Sequence, residues 1–244
     1  MDGEQRSLAP GEKADPGSGH GYAFTRDVFQ WDVSTWSRAW PLWRRWVREH
    51  RPARGLAVGE RGGGLSLWLA TEGCDVLCTD AAPFPSETSN LHERHGVGDR
   101  IRYGRQDVTS LNLPDEAFDV VVFKSVIGAL GTRERQETAI QEIHRVLRPG
   151  GALLFAENLT GSPLHVTLRG RYVGWSHGWR YLQVPEDRTL FAPFARSEFD
   201  TAGFLANLGR SEAQRAALAR LDVLLRPVTP VAWQAVLFGV CVKA

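Results

Sequence analysis

A chain of 244 residues that is 43% hydrophobic can bury one sizeable core, and it is read here as a single folded unit. Its formal net charge of +1 supplies no global basic field to draw a polynucleotide, and there is no acidic tail. No apolar run reaches the roughly 18 residues of a membrane span, so a soluble, cytoplasmic protein with neither a nucleic-acid nor a membrane partner is expected.

The opening stretch, MDGEQRSLAPGEKADPGSGHG, is polar and rich in Gly and Pro. It lacks the apolar core of a signal peptide, and residues 1–22 are predicted to be a disordered tail. A helical cap is expected over 23–52, where Trp36, Trp40, Trp43 and Val47 recur at helical spacing and Pro41 kinks or restarts the helix. These tryptophans read as core, with a second reading in which one of them forms a wall of an aromatic lid.

From residue 53 the pattern alternates. GLAV at 55–58 reads as a strand, a glycine cluster follows, and LSLWLATEG reads as a helix ending at Gly73. DVLCTD at 75–80 is a second strand, a helix is expected around 86–95, and a third strand near 100–106. FDVVVFKS, from Phe118, is a continuous apolar run of the kind covered on both faces. Ile140, Ile143 and Leu147 mark an amphipathic helix that Pro149-Gly150-Gly151 ends before the strand ALLFAEN at 152–158. Strands alternating with helices at this spacing predict a doubly wound, mostly parallel α/β sheet over 53–158.

Beyond 159 the alternation weakens. SPLHVTLRGRYVGWSHGWRYLQ reads as a helix and an irregular lid-like segment, and GFLANLG at 203–209 as a strand. Ser211 with Gln214 has the form of a capping box opening a helix, with Leu218, Leu221 and Leu225 expected inward. AWQAVLFGVCV at 232–242 reads as the last strand. Cys74, Cys78 and Cys241 lack zinc-type spacing, so reduced, buried thiols and no metal site are expected.

The chemistry is concentrated at the first strand–helix turn. Glycines between a strand and a helix let a ligand approach the main chain, and the helix N-terminus offers unpaired N–H groups. Asp80 lies 21 residues after Gly59, at the end of the second strand, where a carboxylate can accept from two ribose hydroxyls. Asp107, just past the third strand, can accept from an adenine amino group while the Val108 N–H donates to a ring nitrogen. An adenosine compound lying across the carboxyl ends of strands one to three is therefore expected.

Through LAVGERGGG, LCTD, RQDV, LPDEAFDVVV and RVLRPGGALLFAEN, residues 52–158 resemble the class I S-adenosylmethionine-dependent methyltransferases. The closing WQAVLFGVCVKA is similar to that family's last strand, which inserts antiparallel. The glycine loop resembles a bacterial subgroup reading G-E-R-x-G-G-L-S-L-W-L-A. The resemblance implies a Rossmann-like, seven-stranded sheet with N-terminal helices and a lid, and S-adenosyl-L-methionine as cofactor. It implies Gly59 and Gly63 against the methionine arm, Asp80 with Ala81 at the ribose, and Asp107 with Val108 at the adenine. Two positions depart from the family. Ala57 stands where an acid is usual, and Arg61 where the middle glycine is usual. Glu60 is expected to replace the missing acid near the cofactor's ammonium, while Arg61 points outward or pairs with a carboxylate.

Methyl transfer from a sulfonium needs an acceptor held in line and desolvated, with a general base if that acceptor is a hydroxyl. His177, Lys124 and His165 are the candidate bases. Their alternative roles are a surface loop for His177, cofactor orientation or ion pairing for Lys124, and helix packing for His165. Trp36, Trp175, Trp179 and Arg180 are candidate acceptor contacts, with Arg169 and Arg171 as further anion-binding candidates or a solvated face. O-methylation of a small molecule, a sugar or secondary metabolite, is expected. The alternatives are a binding protein without turnover, kept open by Ala57 and Arg61, and a nicotinamide oxidoreductase, which Arg61 in place of the second G-x-G-x-x-G glycine opposes.

Overall fold

The computed structural model describes residues 21–174 and 178–244. Three helices come first: α1 (Tyr22–Phe29), α2 (Val33–Trp36) and α3 (Trp40–His50). Pro41 lies in the first turn of α3, where its missing N–H removes no helical bond, so it restarts the helix rather than kinking one. Next come β1 (Arg54–Val58), α4 (Gly64–Thr71), β2 (Asp75–Asp80), α5 (Ser86–Arg94), β3 (Ile101–Arg105), β4 (Phe118–Lys124), α6 (Arg133–Val146) and β5 (Leu147–Asn158). The chain continues through α7 (Pro163–Tyr172), β6 (Arg196–Ala202), α8 (Glu212–Leu225) and β7 (Val236–Val242).

These strands form one seven-stranded sheet in the order β3-β2-β1-β4-β5-β7-β6. β1 to β5 are parallel, and β7 is antiparallel to both of its neighbours, which sets β6 in the direction of β5. The chain order reverses between β1 and β4, the position where doubly wound sheets open a crevice at the carboxyl ends of their strands. This is the Rossmann-like architecture the resemblance implied.

Period-two alternation feeds two cores from the same strands. Leu56, Val121, Phe123, Leu153 and Phe155 face α6 on one side. Ala57, Val120, Val122, Leu154 and Ala156 face the N-terminal helices and α4 on the other. Trp36 and Trp43 are fully buried, and Trp43 stacks on Trp68 with ring centroids 5.9 Å apart while its Nε1 donates to Gly239 O at 3.1 Å. The packing reading of these tryptophans holds. Trp43→Ala is expected to cost about 3–5 kcal/mol in urea unfolding, and a loss below about 1 kcal/mol would show that the cap is dispensable to the sheet. The three cysteines are free and buried, and burial pushes the Cys74 and Cys241 thiols up to about 12, so neither is a nucleophile at neutral pH.

Three expectations are corrected. Leu147 does not extend the amphipathic helix; it is the first residue of β5, fully buried and in register with Phe118, because Pro149 bars a helical continuation. The predicted strand at 203–209 is instead a loop with a short 3₁₀ turn at Ala206–Leu208, and the strand lies just before it. Its amides are taken by a carboxylate: Asp222 accepts from Phe204, Leu205 and Ala206 N–H at 2.7–3.0 Å, leaving nothing for a ladder. Ser211 does cap α8 by accepting from Gln214 N–H, but no residue of that helix is buried, and Leu221 and Leu225 point to solvent.

Candidate cofactor and acceptor site

β1 ends at Val58, and the next residues turn sharply into α4. Gly59 and Gly63 both adopt positive φ, +64° and +73°, which side-chain-bearing residues rarely do. Space is also short on the protein side: a Cβ at Gly59 would stand 2.5 Å from Val126, and one at Gly63 2.6 Å from His92. Gly62 and Gly64 are pressed in the same way by the Gln30 side chain and the Val28 carbonyl of α1. Part of what the glycines make room for is therefore the chain itself.

Glu60 is 7% exposed, and its Oε2 accepts from Leu65 N–H at 2.8 Å and Ser66 N–H at 3.0 Å. It caps the first turn of α4, where a carboxylate meets orphan donors and the positive end of the helix dipole. This supporting role is carried by Oε2 and stands beside the expectation that Glu60 meets a ligand ammonium. Burial pushes its carboxyl up, while the Ser66 and Leu65 amides and the Lys124 charge pull it down. Arg61 is exposed, as one of its expected orientations had it.

Asp80 closes β2 at the same edge. Its Oδ1 accepts from Ala82 N–H at 2.8 Å, which fixes the carboxylate, and Oδ2 makes no hydrogen bond among the described residues. Ala81 beside it is exposed. Asp107 follows β3 and accepts from Thr109 N–H at 2.8 Å and Thr109 Oγ1 at 2.7 Å, bonds that hold its carboxyl below the usual range. Val108 is buried behind it. The parallel registers put the ends of β1, β2 and β3 side by side, so the glycine turn, Asp80 and Asp107 share one rim.

Lys124 ends β4 on that rim. Its Nζ donates to the Phe29 carbonyl and lies 5.0 Å from the Trp31 ring centroid and 5.5 Å from that of Trp36. Burial pulls the amine down to about 8 against the opposing charges of Glu60 and Asp32. Lys124 thus ties the α1–α2 joint to the end of β4. Trp36 serves this packing from a fully buried position.

His165 is buried in the first turn of α7, where its Nδ1 is 2.7 Å from Ser162 Oγ and accepts from Ser162 N–H at 3.2 Å. That is the helix-packing role. Arg180 donates to Gln136 Oε1 and lies 2.8 Å from Asp187, while Trp179 abuts Gly128. Arg169 lies over the Tyr181 ring at 4.2 Å and donates to Leu159 O, and Arg171 lies over Tyr172. Trp175 and His177 lie outside the described residues.

One residue of the rim escaped the sequence reading. Glu157, fully buried at the end of β5, accepts from Val126 N–H at 2.8 Å, Gly128 N–H at 3.3 Å and Asn158 N–H at 2.8 Å. It pins the 125–128 loop, whose Ser125 has a φ of +59° and accepts from Asn158 Nδ2 at 2.7 Å. A single acid ending an apolar strand was its only signal. Glu157→Ala strands these amides, and a loss of about 3 kcal/mol in urea unfolding is expected; a loss under about 1 kcal/mol would show that the loop holds itself.

Residues 56–155 match the model of a family described as a methyltransferase domain. The chain is 32% identical over 124 residues to the ubiquinone/menaquinone biosynthesis C-methyltransferase UbiE of Hahella chejuensis, covering 48% of this chain and 49% of that protein. It is 32% identical over 120 residues to probable tRNA methyltransferase 9B of Homo sapiens, covering 48% of this chain and 24% of that protein. The chain thus spans about a quarter to a half of the length of these curated relatives. Among solved structures, phosphoethanolamine N-methyltransferase 2 of Haemonchus contortus, in complex with phosphomonomethylethanolamine and S-adenosylhomocysteine, gives a TM-score of 0.61 at 16% identity over 91% of this chain and 58% of that one. The [4+2]-cyclase SpnF gives 0.52 at 22% identity, over 78% of this chain and 75% of that one. These likenesses show the fold, and residues 56–155 within it are the segment similar to the methyltransferase-domain model.

Proposed function

We propose that this chain is an S-adenosylmethionine-dependent methyltransferase of the GERxGGLSLWLA type, acting on a small-molecule acceptor, a sugar or secondary metabolite methylated on oxygen. The observation that carries this reading is the convergence of Asp80, Asp107 and the glycine turn on one rim of a segment that matches a methyltransferase domain. The donor set fits such a cofactor: Asp80 keeps one carboxylate oxygen unengaged among the described residues, and Asp107 is held ionised by Thr109.

In this reading Asp80 accepts from the ribose hydroxyls beside Ala81, Asp107 accepts from the adenine amino group, and the Val108 amide donates to the ring. The main chain at Gly59 and Gly63 runs along the amino-acid arm, and Lys124 orients the joint above it. When bound, the cofactor supplies an electrophilic methyl, and the protein's task is to aim an acceptor and exclude water. His177 is assigned the acceptor's proton, since His165 and Lys124 are engaged elsewhere. Trp179 and Arg180 are assigned to the acceptor's surroundings, and Trp175 stays a candidate acceptor contact from the sequence.

Titration calorimetry with S-adenosylhomocysteine and with NADH tests the cofactor, and release of S-adenosylhomocysteine over a panel of sugar and aromatic hydroxyl acceptors tests turnover. Heat with NADH alone would overturn the reading. Binding without turnover on any acceptor would favour an inert binder, a reading supported by Arg61 in place of the middle glycine.

A further inference from the structure

The rim described above has an outer surface as well as an inner one. Because β6 runs with β5 and β7 against it, residue 203 leaves the sheet at the carboxyl rim and Val236 re-enters there, so the whole excursion 203–235 lies on that side. α7, which follows β5, lies there too. Phe204 joins the two: its ring is 6.0 Å from Trp233 and 6.1 Å from His165 of α7.

Ten of the thirteen exposed large apolar side chains among the described residues fall on α7 and on 221–233, the two segments that the Phe204 contacts with His165 and Trp233 bring to one side of the sheet. Along α8 and the 3₁₀ turn Arg226–Val228 that follows it, Leu221, Leu224, Leu225 and Val228 keep the i, i+3, i+4, i+7 spacing of a stripe, with Leu224 75% and Val228 77% exposed. Charge is sorted around the stripe. Glu212 accepts from the Asp32 and Val33 amides and pairs with Arg215, and Asp222 is spent on three amides, so both acids of α8 are engaged inward. Arg210 and Arg220 are exposed and make no ion pair among the described residues. Arg171 on α7 is likewise exposed and unpaired there, its guanidinium over Tyr172.

We propose that this α7–α8 face is a docking surface for an anionic lipid bilayer, with the stripe from Leu221 to Val228 entering the interface and Arg171, Arg210 and Arg220 meeting the headgroups. An apolar stripe flanked by arginine is the design of an interfacial helix. A second copy of the chain fits less well, since two such faces brought together oppose arginine to arginine. The inference departs from the expectation that the chain has no membrane partner, and it does not depend on which reaction the rim supports.

Flotation of the full chain with vesicles of equal parts phosphatidylglycerol and phosphatidylcholine tests it. The expected result is co-flotation at low salt, about tenfold weaker with phosphatidylcholine alone or at high salt. Leu224→Glu combined with Val228→Glu should lower the bound fraction about tenfold, and Arg220→Glu several-fold, with unchanged thermal melting because these side chains contact no core. The proposal is overturned if wild type stays in solution with anionic vesicles, or if the double variant floats as well as wild type. It is equally overturned if the stripe variants abolish a concentration-dependent dimer while vesicles capture nothing.

Discussion

Asp80→Ala is expected to weaken S-adenosylhomocysteine binding about 100-fold while leaving the melting temperature near that of wild type. A hydrogen bond to a charged group contributes about 1.5–3 kcal/mol, and a carboxylate gripping two vicinal hydroxyls therefore supplies about 3 kcal/mol, which is two decades in Kd. The folded state loses only the Oδ1 bond to Ala82 N–H at the tip of β2. Asp80→Asn keeps one acceptor and should lie between the two. Affinity unchanged in the alanine variant would remove Asp80 from the site and the adenosine reading with it.

The second large effect concerns proton linkage at Lys124. Its folded-state amine titrates at about 8, against about 10.4 for an unperturbed lysine, because burial disfavours the charge more than Glu60 and Asp32 favour it. Below pH 8 both states carry the proton, and the folded state bears the full cost of burying it. As pH rises from 8 to 10.4 the folded state releases its proton first, so the unfolded state binds more protons and stability increases with pH. The span amounts to about 3 kcal/mol. Urea midpoints measured from pH 7 to 10.5 should therefore climb for wild type relative to Lys124→Met, in which the titration is absent. Parallel curves for the two proteins would show that the amine is ordinary and solvated.

The strand–glycine–helix–acid spacing from Gly59 to Asp80 and the apolar runs at 75–80 and 118–124 were legible in the sequence because each is a local consequence of backbone geometry or two-sided burial. β6 was not. As an edge strand only its last two residues are buried, and Arg-Ser-Glu-Phe-Asp-Thr-Ala carries little alternation to find. Leu147 looked helical because a strand that begins one residue after a helix inherits the helix's spacing. The error over Leu221 and Leu225 has another origin. Periodicity reveals that a helix owns an apolar stripe, but what covers the stripe is a tertiary fact.

At the site the same division holds. The rim carboxylates Asp80 and Asp107 could be placed by counting residues from the first turn. The inward turn of Glu60, the grip of Glu157 on the 125–128 loop and the burial of Lys124 could not, because each depends on amides or rings brought from distant segments.

The slot that β7 fills between β5 and β6 dictates an order of assembly. β6 is made before β7 but borders no other strand, so Arg196–Ala202 has nothing to zip onto until a later segment has threaded back across α8. Five of the seven strands, from β3 through β5, can pair as they are synthesised; the other two wait on a long-range pairing whose loop must be closed first. Until then the outer edge of β5 stands bare, and it is there that a nascent chain of this protein would be most vulnerable to aggregation.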